Sequence, residues 1–179
     1  MTGAEFRAMK FTKAALAALM MTVVTSSGQA TTTATATLTI NVSFTPPSCD
    51  IMMPSSYNLG ALSPGRKEHS NFQITWTCEG DAPTKTALTA NIITGTAEGD
   101  NKVRLVANNQ VLGATLLLKE KNSGSLIKLT GHDAQNYFCT DGSETIGMRT
   151  CTLIPVTEVS STGPFGRGYA TLNFAIAYP

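Results

Sequence analysis

The sequence predicts an all-β antiparallel sandwich, and three observations carry that expectation. Apolar and polar residues alternate with a period of two in several separate segments, as they do where successive side chains face opposite sides of a strand. Turn residues separate those segments at intervals near ten residues, the spacing of strands in a sandwich. After residue 30, threonine, serine, asparagine and glycine are abundant, and no stretch shows the 3.6-residue period of an amphipathic helix.

The chain has 179 residues and 14% charged side chains, which suits a single globular domain. Its N-terminus reads as a targeting segment. Lys10 and Lys13 precede an apolar run over residues 14–24, and Thr25-Ser26-Ser27-Gly28-Gln29-Ala30 follows. A positive start, a short apolar middle and a small-residue end are the parts of a secretory signal peptide, so residues 1–30 are assigned to it, with cleavage after Ala30 and Met9 as the expected start. The apolar run is too short for a spanning anchor. Export places the mature chain in an oxidising space. Loss of Arg7, Lys10, Lys13 and Glu5 leaves ten basic against eleven acidic residues, and no basic patch is present, which argues against nucleic acid as a partner.

Residues 34–44 open the mature chain with Ala34, Ala36, Leu38, Ile40, Val42 and Phe44 alternating with polar residues. Eleven extended residues span about 36 Å, a long strand with one dry face that needs a partner surface. Pro46-Pro47 ends it, since proline cannot donate to a ladder. A short strand is expected at Cys49 and Ile51, and a brief one over 58–65 running into Pro64-Gly65. Over 72–78, Phe72, Ile74, Trp76 and Cys78 share one face. Residues 79–84 form a loop, and 87–94 a strand with Leu88, Ala90 and Ile92 facing inward. Strands over 103–107 and 113–119 come next, then a turn at Asn122-Ser123-Gly124 and a return strand over 125–129. Residues 131–147 are polar and irregular. A strand over 151–159 and a Gly/Pro-rich turn over 160–168 lead into a closing strand with Ala170, Leu172, Phe174, Ile176 and Tyr178 on one side.

Four cysteines in an exported chain read as two disulfides with three possible connectivities, of which the local one, Cys49 with Cys78 and Cys139 with Cys151, is favoured. Their spacings match no zinc motif, and the only histidines are His69 and His132. No nucleophile elbow, zinc-protease, P-loop or dinucleotide motif is present. Asp81, Asp100, Asp133 and Asp141 sit singly on turns, and Trp76 reads as a core residue. No catalytic, cofactor or metal-binding residue is assigned, and the chain is not expected to be an enzyme.

Several local patterns then line up: the long leading strand, Cys49-Asp50-Ile51, Leu59-Gly60-Ala61-Leu62, the segment from Phe72 to Cys78, Gly113-Ala-Thr-Leu-Leu-Leu-Lys, and the ending Gly168-Tyr-Ala-Thr-Leu-Asn-Phe-Ala-Ile-Ala-Tyr178-Pro. Tyr178 is penultimate and Gly166 is fourteenth from the end. Across essentially the whole mature chain this resembles the pilin subunits of bacterial chaperone–usher fimbriae. The resemblance implies an incomplete immunoglobulin-like antiparallel sandwich lacking its final strand, with an N-terminal donor-strand extension. Residues 31–47 are then the extension and 48–179 the pilin domain. The resemblance also implies a groove beside the last strand, with Gly166, Ala170, Leu172, Phe174, Ile176 and Tyr178 lining or edging it. A periplasmic chaperone fills this groove first, and at the outer-membrane usher a neighbouring subunit's extension replaces it. Ala36, Leu38, Ile40 and Val42 are the implied pocket fillers. The implied role is a structural subunit of the fimbrium, a minor or adaptor one. The alternative is an adhesive subunit that meets a host receptor through residues 131–151, a braced segment that contains Tyr137, Phe138 and Arg149. The chain departs from the family pattern in having no glycine between residues 34 and 44, in ending on Pro179, and in carrying the extra cysteines Cys139 and Cys151.

Overall fold

The computed structural model describes residues 39–41 and 47–179. The signal segment and the donor residues Ala36, Leu38 and Val42 lie outside the described residues. Residues 39–41, Ile40 among them, are exposed and form no regular element.

Nine antiparallel strands follow: β1 (Cys49–Met52), β2 (Gly65–Glu68), β3 (Phe72–Cys78), β4 (Ala87–Thr94), β5 (Thr96–Ala97), β6 (Val103–Ala107), β7 (Gln110–Glu120), β8 (Met148–Val159) and β9 (Thr171–Ala177). The described chain is all-β apart from one 3-10 turn at Ala134–Asn136, capped by the Asp133 carboxylate, which accepts from the Gln135 N–H. The larger sheet runs β1-β3-β8-β7-β6-β5, with β2 also paired to β8; β4 and β9 form a second, two-stranded sheet.

The long strand β8 organises the larger sheet. Its residues from Met148 to Leu153 pair with β3, and from Leu153 to Val159 with β7 on the opposite edge. β2 continues the β3 edge, pairing Gly65 with Val159 and Glu68 with Val156, and the His69 N–H donates to the Pro155 carbonyl between them. The inward residues of both sheets meet in one core. Ile74, Trp76, Leu88, Val103 and Leu153 are essentially inaccessible to water. Each such side chain contributes on the order of 1.5–3 kcal/mol by leaving water. The apolar stripes expected over 72–78 and 87–94 supply this core. β4 is buried on both faces, from Ala87 to Ala90, because the chain after residue 130 covers its second face. There His132 Nδ1 lies 3.1 Å from the Thr89 hydroxyl.

The structure differs from the sequence reading at several places, among them an unforeseen β5 and a β8 that begins at Met148 rather than Cys151. Residues 58–64 form no strand: the Asn58 side chain accepts the Gly60 N–H at 2.8 Å, a local turn that competes with ladder formation. The strand of this region is β2, whose residues are all exposed and so carry no alternation to read. The return over 125–129 is not a strand either. Ile127 bonds to the Leu118 carbonyl, but Leu129 turns away to the Asp100 carbonyl, and the ladder stops. Finally, β7 begins earlier than expected, at Gln110. Asn108 and Asn109, at φ 48° and 62°, close a tight β6–β7 hairpin, a backbone shape asparagine tolerates well.

The loop after β8 is pressed onto β7. The Ser160 N–H donates to the Gly113 carbonyl and the Gly113 N–H to the Pro164 carbonyl. A Cβ on Gly113 would sit 2.7 Å from the Gly163 Cα, so only glycine permits this backbone-to-backbone contact.

Candidate strand-acceptor groove

β9 carries no charged residue and turns Leu172, Phe174 and Ile176 toward the core. Their partners across the ladder are Ile92, Ala90 and Leu88. Leu88 and Ala90 are fully buried, whereas Leu172, Phe174 and Ile176 pack against the same core and are only half-buried. One strand of the pair is therefore roofed and the other is not.

The reason lies in the edges. The second edge of β4 is met by the chain after residue 130, through single bridges Asn91–Thr130, Leu88–Phe138 and Thr84–Thr145. Among the described residues no strand pairs with the second edge of β9, and β1 likewise pairs only with β3. Half-buried apolar residues lie on both of these edge strands, Ile51 on β1 and the β9 triplet, and all of them pack on the core. An unpaired edge next to an uncovered apolar stripe is a ready template for an added strand.

Tyr178 ties the two edge strands together at one end. Its hydroxyl donates to the Pro47 carbonyl at 2.5 Å and lies 3.0 Å from Cys49 Sγ. Cys49, opposite Cys78 in the β1–β3 register, is bonded to it as a disulfide, so the tyrosine rests against a cross-linked strand pair. At the other end the chain changes sheets. Tyr169 exchanges two backbone hydrogen bonds with Val106 on β6, and two residues later Thr171 begins the ladder with β4. Ala170, at the crossover, is packed on the core; Gly166 lies in the exposed turn before it and outside β9. The structure thus gathers Ala170, Leu172, Phe174, Ile176 and Tyr178 along one strand path and leaves Gly166 apart from it. The Pro47 carbonyl, which anchors Tyr178, had no signal in the sequence, because any residue offers a carbonyl.

Within residues 131–151 the side chains divide between interior and surface. Phe138 is 6% and Arg149 8% exposed, so both belong to the interior. Arg149 Nε donates to Asp141 Oδ2 at 3.2 Å, its Nη2 to the Thr84 and Thr145 carbonyls at 2.7 Å each, and its Nη1 to the Gly147 carbonyl at 3.1 Å. Asp141 Oδ2 also accepts from the Thr86 N–H and hydroxyl, and the Thr86 hydroxyl accepts from Trp76 Nε1 at 2.8 Å. A buried charge this well supplied with partners braces a loop. The second disulfide, Cys139–Cys151, ties the same segment to β8. Of Tyr137, Phe138 and Arg149 only Tyr137 is partly accessible. Among the described residues no group of histidine, cysteine, aspartate and glutamate side chains is arranged to hold a metal ion.

No protein-family model and no curated protein matches this chain. Among solved structures it is similar to the crystal structure of the P pilus rod subunit PapA, with a TM-score of 0.53 and 18% sequence identity over 73% of this chain and 99% of that one. At that identity the likeness is one of fold, and it spans nearly the whole of the pilus subunit. The chain has a pilin-like all-β fold of antiparallel sheets.

Proposed function

We propose that this chain is a structural subunit of a surface fimbrium, and that the groove beside β9 accepts a β-strand from another molecule. The single observation that supports this most is a β9 edge that is unpaired among the described residues, beside the half-buried Leu172, Phe174 and Ile176. Covering each of those side chains is worth on the order of 1 kcal/mol, and the ladder adds register. In this reading a periplasmic chaperone supplies the strand first. A neighbouring subunit's N-terminal extension replaces it at the outer-membrane usher. Residues 1–30 are the export signal, 31–47 the chain's own donor extension and 48–179 the pilin domain. Ala36, Leu38, Ile40 and Val42 enter the next subunit's groove. Eleven extended residues reach about 36 Å, and the seven of β9 about 23 Å, so the donor is long enough to cover its target. The role is mechanical rather than catalytic, in a minor or adaptor position of the fibre.

The test is a chain lacking residues 31–44 mixed with a synthetic peptide of that sequence. The peptide should bind, raise the melting temperature and protect the β9 amides from hydrogen exchange. Ile176→Asp should lose the gain. A peptide that leaves β9 exchange unchanged, or that protects the Ile176→Asp variant equally, removes the proposal.

A further inference from the structure

Phe174, the largest side chain of the β9 stripe, has little within its own sheet to hold its ring. Its partner across the ladder is Ala90, a buried residue that offers one methyl group. Protein interiors leave few voids, so another side chain must fill the space over Ala90. That side chain is Phe138. It stands opposite Leu88 on the far edge of β4 and reaches diagonally across the strand to meet the Phe174 ring edge to face.

Phe138 is tied to both sheets. Its N–H donates to the Leu88 carbonyl at 3.0 Å, and its carbonyl accepts from the Leu88 N–H at 2.9 Å. Leu88 in turn stands opposite Ile176 on β9. The next residue, Cys139, is bonded to the fully buried Cys151 on β8 of the larger sheet. Cys139 has a φ of 46°, in the left-handed region that residues other than glycine, asparagine and aspartate seldom take. A non-glycine residue keeps such a shape only where its surroundings enforce it. Its N–H has one long contact, 3.4 Å to the Glu120 carboxylate, so the enforcing tie is the disulfide.

We infer that Phe138, locked by the Cys139–Cys151 bridge, is a positioning residue of the strand-acceptor groove. It fixes the ring of Phe174, and with it the depth of the pocket that an aliphatic side chain of the incoming strand enters. The inference rests on the reading of β9 as an acceptor edge. Without the bridge, Cys139 relaxes out of the left-handed region and Phe138 loses its fixed height. Phe174 then turns into the space over Ala90, and the pocket changes shape before any strand arrives. Strand acceptance is strongest when the receiving surface is already in its bound form, because little ordering remains to be done on binding. The second pair of cysteines thereby serves the groove as well as the loop that it closes.

The test uses the full chain and a fluorescent peptide of residues 31–44. Phe138→Leu, and separately the paired Cys139→Ala and Cys151→Ala, should each weaken peptide binding at least about fivefold while the chain still unfolds cooperatively. In a Phe174→Leu background the same changes should cost less than about twofold, since the ring that they position is gone. A general loss of stability would subtract equally in both backgrounds. Hydrogen exchange without peptide is the second measurement: the β9 amides should exchange faster in Phe138→Leu and in the chain without the bridge. Equal losses in the two backgrounds, or β9 exchange that neither change alters, overturn the inference alone. A wild-type chain that does not bind the peptide removes the acceptor reading, and the inference with it.

Discussion

Phe138 and Phe174 meet edge to face, with ring centroids 6.4 Å apart and planes at 77°. One comes from the braced segment after residue 130 and the other from the edge strand β9, so the loop and the strand-acceptor stripe share a single piece of core. Phe138→Ala should cost about 3–5 kcal/mol and Phe174→Ala less, since Phe174 is only half-buried. A double-mutant cycle by urea unfolding should return a coupling of about 0.5–1.5 kcal/mol. Strict additivity would mean that the two rings do not pack together in solution.

Arg149 holds its loop by four acceptors, and its guanidinium geometry is the reason. Arg149→Lys keeps the charge but cannot reach Asp141 and three carbonyls at once. Arg149→Met and Asp141→Asn should each destabilise by about 3–5 kcal/mol, because each strands the other's buried charge. Arg149→Lys should recover less than half of the Met loss. Thermal unfolding of the three variants, at low and high salt, checks this; a loss that vanishes at 1 M salt would mark the pair as a screened surface contact.

The two disulfides close loops of different length, with sequence separations of 29 for Cys49–Cys78 and 12 for Cys139–Cys151. Chain entropy alone gives about 3.6 and about 2.8 kcal/mol respectively. Paired replacement by alanine should therefore destabilise in that order. Hydrogen exchange should also speed up over 139–147 in the second variant while the amides of β3 and β8 stay protected. Loss of protection throughout would mean that the second bridge holds the whole sandwich and not one loop.

Acid should weaken the fold through two groups along β2. The pKa of His69 lies below its ordinary 6.5, first because burial disfavours the cation and then because Lys67 is near. Its contribution is complete above pH 6.5 and is lost as pH falls through the lowered folded value. Glu158 is lowered chiefly by its hydrogen bond to Lys102, against burial, with Arg66 adding to the effect. That contribution is present above pH 4.5 and is lost below it, so both have the same sign. Urea midpoints of the wild type should fall between pH 7.5 and 5.5, and His69→Gln should flatten that fall. Glu158→Gln should flatten only the further fall below pH 4.5. An unchanged slope in His69→Gln would detach the histidine from stability.

By itself the sequence determined the class of fold and most of its strands. The alternations over 72–78, 87–94 and 171–177 are local facts, because facing is set residue by residue along an extended chain. β2 and β5 were silent for the same reason, since no residue of either is buried and a strand without a dry face leaves no period. Only the tertiary structure decided which edges stay unpaired among the described residues, that the chain changes sheets at Ala170, and that Phe138 and Arg149 point inward. A hydrophobic pattern says that a face needs cover. Which residues supply that cover depends on pairings between segments far apart in the chain, such as β4 with β9 and Tyr178 with Pro47. Those pairings are settled by packing and by the closing of hydrogen-bond ladders in three dimensions.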